Sequence, residues 1–338
     1  MNCNITQHNY CIDLFKLIMA VFVVAIHSQL SLSVSVGFGK VLDFIFSLAV
    51  PYFFIVSGYL LFRKTDLNNL KFSECKDRIS LYLKRVIKMY TIWTAIYFPL
   101  TIYGEISYGT PLPKAIIKFL RNFLFVGENF YSWQLWYLLG LIFAILIIYV
   151  LLRFKMCYKH ILLLSVCVFV LGIALDILKG MDIKSISLYY ALFNTTRNGM
   201  FYGFFYVSLG MYMSQIKIKV DFKDVIFAFV AIIGAFIFLD MEVLRVFTAL
   251  LAVIVFRVSL SMEIQHLKFC TVFRNISVKI YLIHMYFIAI YRVFYANNGN
   301  VYNYWGCFVF ALLCSIILAG FIEYFEERTN SRVLKILF

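Results

Sequence analysis

The first strongly apolar segment of this chain, at residues 11–30, is CIDLFKLIMAVFVVAIHSQL. Up to His27, its only charged or titratable polar residues are Asp13, Lys16 and His27 itself. A helix needs roughly 20 mostly apolar residues to cross the hydrocarbon core of a bilayer. The segment therefore predicts a membrane-spanning helix that carries polar side chains along its length.

Similar segments follow along the whole chain of 338 residues, of which 63% are hydrophobic and 14% charged. Soluble domains are about half apolar and about a quarter charged, so lipid is the expected solvent. Ten segments have the required length: 11–30, 41–62, 86–104, 134–152, 160–178, 193–213, 224–240, 243–260, 273–295 and 303–325. We predict an all-α polytopic membrane protein in which residues 1–338 form a single integral-membrane domain, with no separate soluble domain.

The basic residues, which give a formal net charge of +14, are unequally distributed. With the N-terminus placed inside, the inner loops and ends hold 20 Lys and Arg, and the outer loops hold 8. Cytoplasmic loops carry such an excess, so we expect both termini in the cytoplasm and a multi-pass protein of the cell membrane. The charge requires no nucleic acid as a partner. The eight cysteines include no CxxC pair and predict neither a disulfide framework nor a metal site.

Lys16 and His27 lie eleven residues apart on the first predicted span. This interval is three helical turns plus about 20°, so the two side chains share one face, roughly 16 Å apart along the axis. A cation near the cytoplasmic end and a deeper imidazole would hold an anionic cofactor and place a base at its reactive end. The alternative is a histidine bonded to a neighbouring hydroxyl and a lysine that extends to the membrane surface.

Two more basic residues, Arg197 and Lys279, remain within predicted spans once the 28 basic residues of the loops, ends and span margins have been counted. A charge at the bilayer centre costs about 2.5–3.5 kcal/mol on insertion scales, so both are functional candidates. Lys279 lies near the inner end of its span and is expected to reach the cytoplasmic surface. Arg197 is either a functional residue or the marker of a helix end.

Six short motifs follow one another in order. They are Lys16 with His27, Val50-Pro51-Tyr52-Phe53-Phe54-Ile55-Val56-Ser57-Gly58, Lys84-Arg85-Val86-Ile87-Lys88, Trp136-Tyr137-Leu138, Arg197-Asn198-Gly199 and Tyr281-Leu282-Ile283-His284. Together, from about residue 11 to residue 327, they resemble the signature of the integral-membrane acyltransferase 3 family. The segments at Pro51 and Arg197 are similar to the branch that includes the membrane half of vancomycin-resistance serine racemases. Lys16 and Lys88 stand where many members have Arg.

This resemblance implies acyl transfer, usually of acetyl, from cytoplasmic acetyl-CoA to a hydroxyl of a cell-surface glycan or its lipid-linked precursor. Acetyl-CoA would be a co-substrate, not a permanently bound cofactor. His27 would act as a general base or as a transient acyl carrier, with Lys16 as the cation on the same helix face. His284 would orient His27, bind the acceptor, or form a structural bond to a tyrosine.

Acyl-CoA binding requires cations for the diphosphate at the cytoplasmic side. The candidates are Lys84, Arg85 and Lys88, with Ser57 as a point of close backbone approach. The same basic loop is also the main topological determinant, with its charges in water. Ser57 and the glycine after it would equally serve helix packing.

The candidate acceptor contacts are Arg197, Asn198, Trp136 and Tyr137. Aromatic rings stack on sugars, although the two aromatics also suit an interfacial belt at the outer surface. Two other functions stay open: a transporter of a small serine-like molecule, and a non-catalytic partner in polysaccharide export. The sequence leaves the acceptor and the oligomeric state undetermined.

Overall fold

The computed structural model describes residues 10–69, 72–181, 183–262, 269–297, 302–329 and 334–338. Within these ranges the chain is helical, with turns and short loops and no strand, which confirms the all-α class. The helices are α1 (Tyr10–His27), α2 (Val36–Phe46), α3 (Ala49–Phe62), α4 (Phe72–Ser107), α5 (Leu112–Arg121), α6 (Trp136–Arg153), α7 (Tyr158–Ile177), α8 (Lys184–Phe193), α9 (Phe204–Met213), α10 (Phe222–Ile237), α11 (Leu244–Ser261), α12 (Phe269–Asn297), α13 (Tyr304–Thr329) and α14 (Leu334–Leu337).

Seven helical segments of the described residues are long and apolar enough to cross a membrane. They are Tyr10–His27, Val36–Phe62, Trp133–Arg153, Tyr158–Gly180, Leu244–Ser261, Val272–Tyr295 and Tyr304–Thr329. This confirms a polytopic membrane protein with fewer clear spans than the ten predicted. The orientation of the termini stays a prediction.

The three remaining predicted spans, 86–104, 193–213 and 224–240, fall on helices that are less apolar or shorter. The first lies in α4, whose apolar half is rich in Tyr and Thr and follows a long basic stretch. The other two coincide with α9, of 10 residues after one π-helical turn, and α10, of 16 residues. Apolar residues continue before the start of α9 and after the end of α10. The apolar segments in the sequence are therefore longer than the helices, and their composition alone indicated spans.

The helices group into two compact units. The first comprises Met1–Phe53, Ile218–Leu239 and Phe247–Ser331. Its core forms where α12 packs against α1 and α13. The buried residues Ala20, Val23 and Val24 of α1 and Leu282 and Met285 of α12 follow the i, i+3, i+4 spacing of a helix face.

Lys279 lies in the core of this first unit, with 1% of its side chain exposed. Its ammonium contacts the Glu323 carboxylate and lies 3.0 Å from Oε2 of Glu326. Asn275 donates a second hydrogen bond, of 2.6 Å, to Glu323. The prediction that Lys279 reaches the surface is therefore wrong: two acidic side chains of α13 offset its charge inside the protein.

The second unit comprises Phe54–Lys217, Asp240–Val246 and Arg332–Phe338. In it, α3 and α9 approach so closely that a Cβ at Gly58 would lie 2.2 Å from the Val207 carbonyl oxygen. A Cβ at Gly210 would lie 2.0 Å from the Ile55 carbonyl oxygen. Two glycines thus allow backbone-to-backbone packing, the small-residue device of membrane helices.

Candidate functional site

The helix α1 carries Lys16 and ends at His27, so the eleven-residue interval of the sequence is one uninterrupted helix. His27 as a whole residue is of intermediate exposure. His284, from α12 of the same unit, is fully buried beside it, with 5.4 Å between the ring centroids and 33° between the ring planes. The structure therefore brings together the two histidines that the sequence analysis selected.

The hydrogen bonds of His284 select one tautomer. Its Nδ1 lies 3.0 Å from the carbonyl oxygen of Ile280, one turn earlier on α12. A carbonyl only accepts, so this contact places the ring proton on Nδ1. Nε2 then carries the lone pair, and it has no hydrogen-bond partner within the described residues. A buried imidazole in this state has the chemistry of a proton acceptor.

A third group at this pair is Arg292, one of the eight basic residues that the sequence analysis counted in the outer loops. Its Nη2 donates a hydrogen bond of 2.9 Å to the backbone carbonyl of His27. Its Nε lies 3.4 Å from the Tyr302 hydroxyl, and its guanidinium carbon lies 5.9 Å from the centroid of that ring. No local sequence signal identifies this contact, because 265 positions separate Arg292 from His27.

At the other end of α1, Lys16 has an acidic neighbour. Its ammonium lies 3.7 Å from Oδ1 of Asp13, one turn earlier, and 15% of the lysine side chain is exposed. Asp13 itself is buried. Lys16 is therefore a partly neutralised cation inside the protein, and Asp13 is a partner to which the sequence analysis gave no role.

In the second unit, two residues predicted to bind different ligands contact each other. The hydroxyls of Ser57 and Tyr137 lie 2.9 Å apart, and Tyr82 lies beside Ser57. The ring of Tyr137 packs 4.6 Å from that of Phe54. Ser57 thus belongs to a partly buried group of hydroxyls between α3, α4 and α6.

The basic residues Lys84, Arg85 and Lys88 all lie exposed on α4. Positions i, i+1 and i+4 of a helix fall within about 100° of arc, so the three cations share one face. Nη2 of Arg85 also donates a 3.3 Å hydrogen bond to the carbonyl of Phe338. Such a face has the charge that phosphate groups require.

Asn198 caps a helix end. Its Oδ1 accepts hydrogen bonds from the backbone N–H groups of Met200 and Phe201, at 3.0 and 3.2 Å, and its Nδ2 donates to the Tyr189 hydroxyl at 2.7 Å. Asn198 also lines a cavity of about 150 Å³, together with Trp136 and mainly apolar side chains. The structure therefore places Trp136 and Asn198 at one cavity, with Asn198 committed to the helix end.

The segment before Asn198 is fixed by a buried network. Asp176, at the end of α7, contacts the guanidinium of Arg245 and the hydroxyls of Thr196 and Tyr190. Nη1 of Arg245 donates a 2.8 Å hydrogen bond to Thr196 as well. Arg197 follows this anchored threonine and is exposed.

Glu128 is a titratable neighbour of Arg197 that the sequence analysis missed. It lies in the loop that precedes the helical segment at Trp133. Burial raises the pKa of its carboxyl to about 7, although the positive charge of Arg197 acts in the opposite direction. In none of the described ranges do three side chains of His, Cys, Asp or Glu form a group suited to a metal ion.

The pKa of Glu128 predicts a pH-dependent stability. Between about pH 4.5 and pH 7 the folded state holds a proton that the unfolded carboxyl releases, so stability should fall as the pH rises through this range. The loss should be at most about 3.5 kcal/mol, since one pKa unit corresponds to about 1.4 kcal/mol. Thermal unfolding midpoints in detergent at pH 5 and pH 8 measure it. Glu128→Gln should reduce the difference, whereas the exposed Glu327→Gln should leave it unchanged; equal behaviour of both variants would contradict the prediction.

Comparison with known proteins gives one family and several distant relatives. Residues 9–322 match the Acyltransferase domain family. Two amino-acid racemases of Enterococcus faecalis are 29% identical over 224 residues and 28% identical over 217, and a serine/alanine racemase of Enterococcus gallinarum is 30% identical over 237. These alignments cover 64%, 60% and 68% of this chain but only 30%, 28% and 32% of the relatives. The similarity is to the membrane part of the racemases. No solved structure matches the chain.

Proposed function

Because this chain belongs to the Acyltransferase domain family, we propose that it moves an acetyl group from acetyl-CoA to a hydroxyl of a cell-surface glycan or its lipid-linked precursor. The observation that carries the proposal is the His27–His284 pair, in which a buried imidazole with a selected tautomer lies 5.4 Å from a second one, measured between the ring centroids. The reaction would take place in the cell membrane, with the donor on the cytoplasmic side.

The chemistry asks one imidazole to move a proton. The acceptor hydroxyl oxygen attacks the thioester carbon, and the histidine takes the hydroxyl proton as the new C–O bond forms. The tetrahedral intermediate then collapses, the C–S bond breaks, and the proton passes to the thiolate of coenzyme A. The products are an O-acetyl ester and free coenzyme A, so atoms and charge balance.

The second role for His27, as acyl carrier, uses the same residues in two steps. A ring nitrogen would first attack the thioester carbon, and the C–S bond would break to release coenzyme A. The acceptor hydroxyl would then attack the acetyl carbon, the C–N bond would break, and the hydroxyl proton would pass to the imidazole. Rapid denaturation in cold ionic detergent at neutral pH during turnover distinguishes the two, because acid would hydrolyse an N-acetylimidazole. Radioactive label on the protein, lost in His27→Ala, supports the carrier, and its absence supports the general base.

For the donor, we propose the exposed cations Lys84, Arg85 and Lys88 as contacts of the coenzyme A phosphates, with Ser57 nearby on α3. Lys16 is proposed as a further cation for the donor, partly neutralised by Asp13. The acceptor contacts proposed are Trp136, Tyr137, Arg197 and Asn198. The exposed cations and the aromatic cavity wall support these assignments by their chemistry.

The direct test supplies membranes containing the protein with acetyl-CoA labelled in the acetyl group and with the native glycan fraction. We expect label on the glycan that mild base releases, because an O-acetyl ester hydrolyses under those conditions. Membranes from cells without the protein provide the control. Equal labelling in both preparations, with the protein present and folded, would refute the proposal.

A second candidate is uptake of a serine-like molecule, favoured by the similarity to racemases of serine and alanine. Proteoliposomes containing the protein would then accumulate labelled serine without acetyl-CoA, and Arg197→Gln would abolish the uptake. Absence of uptake by the unmodified protein would exclude this candidate, whereas uptake by the Arg197 variant as well would exclude only the role of Arg197. A non-catalytic role in polysaccharide export predicts instead that export of the polysaccharide continues when both His27 and His284 are replaced.

A further inference from the structure

The last residue of α1 has a carbonyl that its own helix does not satisfy. The last four carbonyl groups of an α-helix have no intrahelical partner, and they carry the negative end of the helix dipole. In α1 one of these groups belongs to His27, and the guanidinium of Arg292 donates to it at 2.9 Å. A cation at this position offsets the dipole and holds the end of the helix.

Arg292 is itself held from its other side. Its Nε lies 3.4 Å from the Tyr302 hydroxyl, and its guanidinium lies over the Tyr302 ring at 5.9 Å. The side chain is therefore fixed between α1 and the segment that leads into α13. A guanidinium with several fixed donors is suited to such a bridge, because its planar fork is pre-organised.

The helix α12 contacts His27 at two levels. His284 meets the imidazole ring, and Arg292, eight residues and about 12 Å further along, meets the backbone carbonyl. The contact with His284 fixes the position of the His27 ring, and the contact with Arg292 fixes the backbone of the same residue at the end of α1. The two contacts together determine the position of the His27 imidazole relative to His284.

We propose that Arg292 is a positioning residue for acyl transfer, which fixes the end of α1 so that the His27 imidazole stays against His284. This inference rests on the proposed function, since it assigns to Arg292 the geometry on which that chemistry depends. Arg292 would not contact the donor. Its loss should therefore lower kcat and leave KM for acetyl-CoA nearly unchanged, because small misplacements of reacting groups cost up to about 100-fold in rate.

The test compares Arg292→Gln, Arg292→Lys and His27→Ala in steady-state acetylation, with rates expressed per folded protein after size-exclusion chromatography in detergent. We expect Arg292→Gln to lower kcat about tenfold or more, with KM for acetyl-CoA within about twofold. Arg292→Lys should recover most of the rate, because it keeps a cation and a donor. Arg153→Gln, an exposed arginine at the end of α6, is the matched control and should behave as the unmodified protein.

The outcomes separate this inference from the proposed function. A His27→Ala variant with full activity would refute the catalytic assignment itself. An inactive His27→Ala together with normal kcat per folded molecule in Arg292→Gln would overturn only the inference. If Arg292→Gln does not fold, Tyr302→Phe replaces it: a lower kcat at unchanged KM supports the positioning role, and an unchanged kcat overturns it.

Discussion

Replacing His27 with alanine should lower acetyl transfer by at least about 100-fold, the lower end of what a positioned acid–base group contributes. His284→Ala should cause a loss of similar size, because its ring lies against that of His27 and its tautomer is selected by Ile280. The measurement is the initial rate of label transfer from acetyl-CoA to the glycan, per folded protein.

The double variant gives the sharper result. If the two imidazoles act as one unit, replacing both should lower the transfer rate little more than replacing either one does. Such non-additive losses are seen in other groups of interdependent catalytic residues. His160→Ala, which removes an exposed histidine of α7, is the matched control and should retain the full rate. If the fold-loss of rate in the double variant equals the product of the two single fold-losses, the two histidines have independent roles. A normal rate in either single variant would remove that histidine from the site.

Replacing Lys279 with methionine should destabilise the protein strongly, by about 3–5 kcal/mol. The variant would leave Glu323 and Glu326 beside each other in the first unit without the cation that contacts both. Breaking a buried ion pair at one partner is costly because the remaining charge stays desolvated. The yield of monodisperse protein and the thermal unfolding midpoint in detergent measure the effect.

Removing the acids as well should reverse most of that loss. The triple variant Lys279→Met, Glu323→Gln, Glu326→Gln contains no unpaired charge at this position, because all three charged groups are removed together. Lys64→Met, at an exposed lysine, is the control for the substitution itself. If Lys279→Met were as stable as this control, the ion pair would have no structural role.

Much of the fold followed from local sequence. Apolar length predicted α1, and the helix found ends at His27, so the shared face of Lys16 and His27 needed no tertiary information. The motif ending in His284 selected the residue that lies 5.4 Å from His27. Ser57 and Gly58 were considered for close packing, and Gly58 does lie against the backbone of α9.

The rest depended on contacts that sequence spacing does not reveal. Glu323 and Lys279 are 44 positions apart, so hydropathy gave no reason to pair them and favoured a lysine at the surface. Arg292 was counted with the outer-loop charges, and its contact was missed because its acceptor is a backbone carbonyl 265 positions away on another helix. Asp13 was visible one turn before Lys16, and the i, i+3 spacing was the signal that could have identified this partner.

The uninterrupted course of α1 from Tyr10 to His27 has a consequence for tolerance to change. Each residue inserted between Lys16 and His27 would turn the imidazole relative to Lys16 by about 100° about the helix axis and shift it by about 1.5 Å along that axis. Substitution of an exposed apolar side chain in the interval, such as Ile18, leaves both this angle and this axial distance unchanged. This helix should therefore accept many changes of residue type and few changes of length.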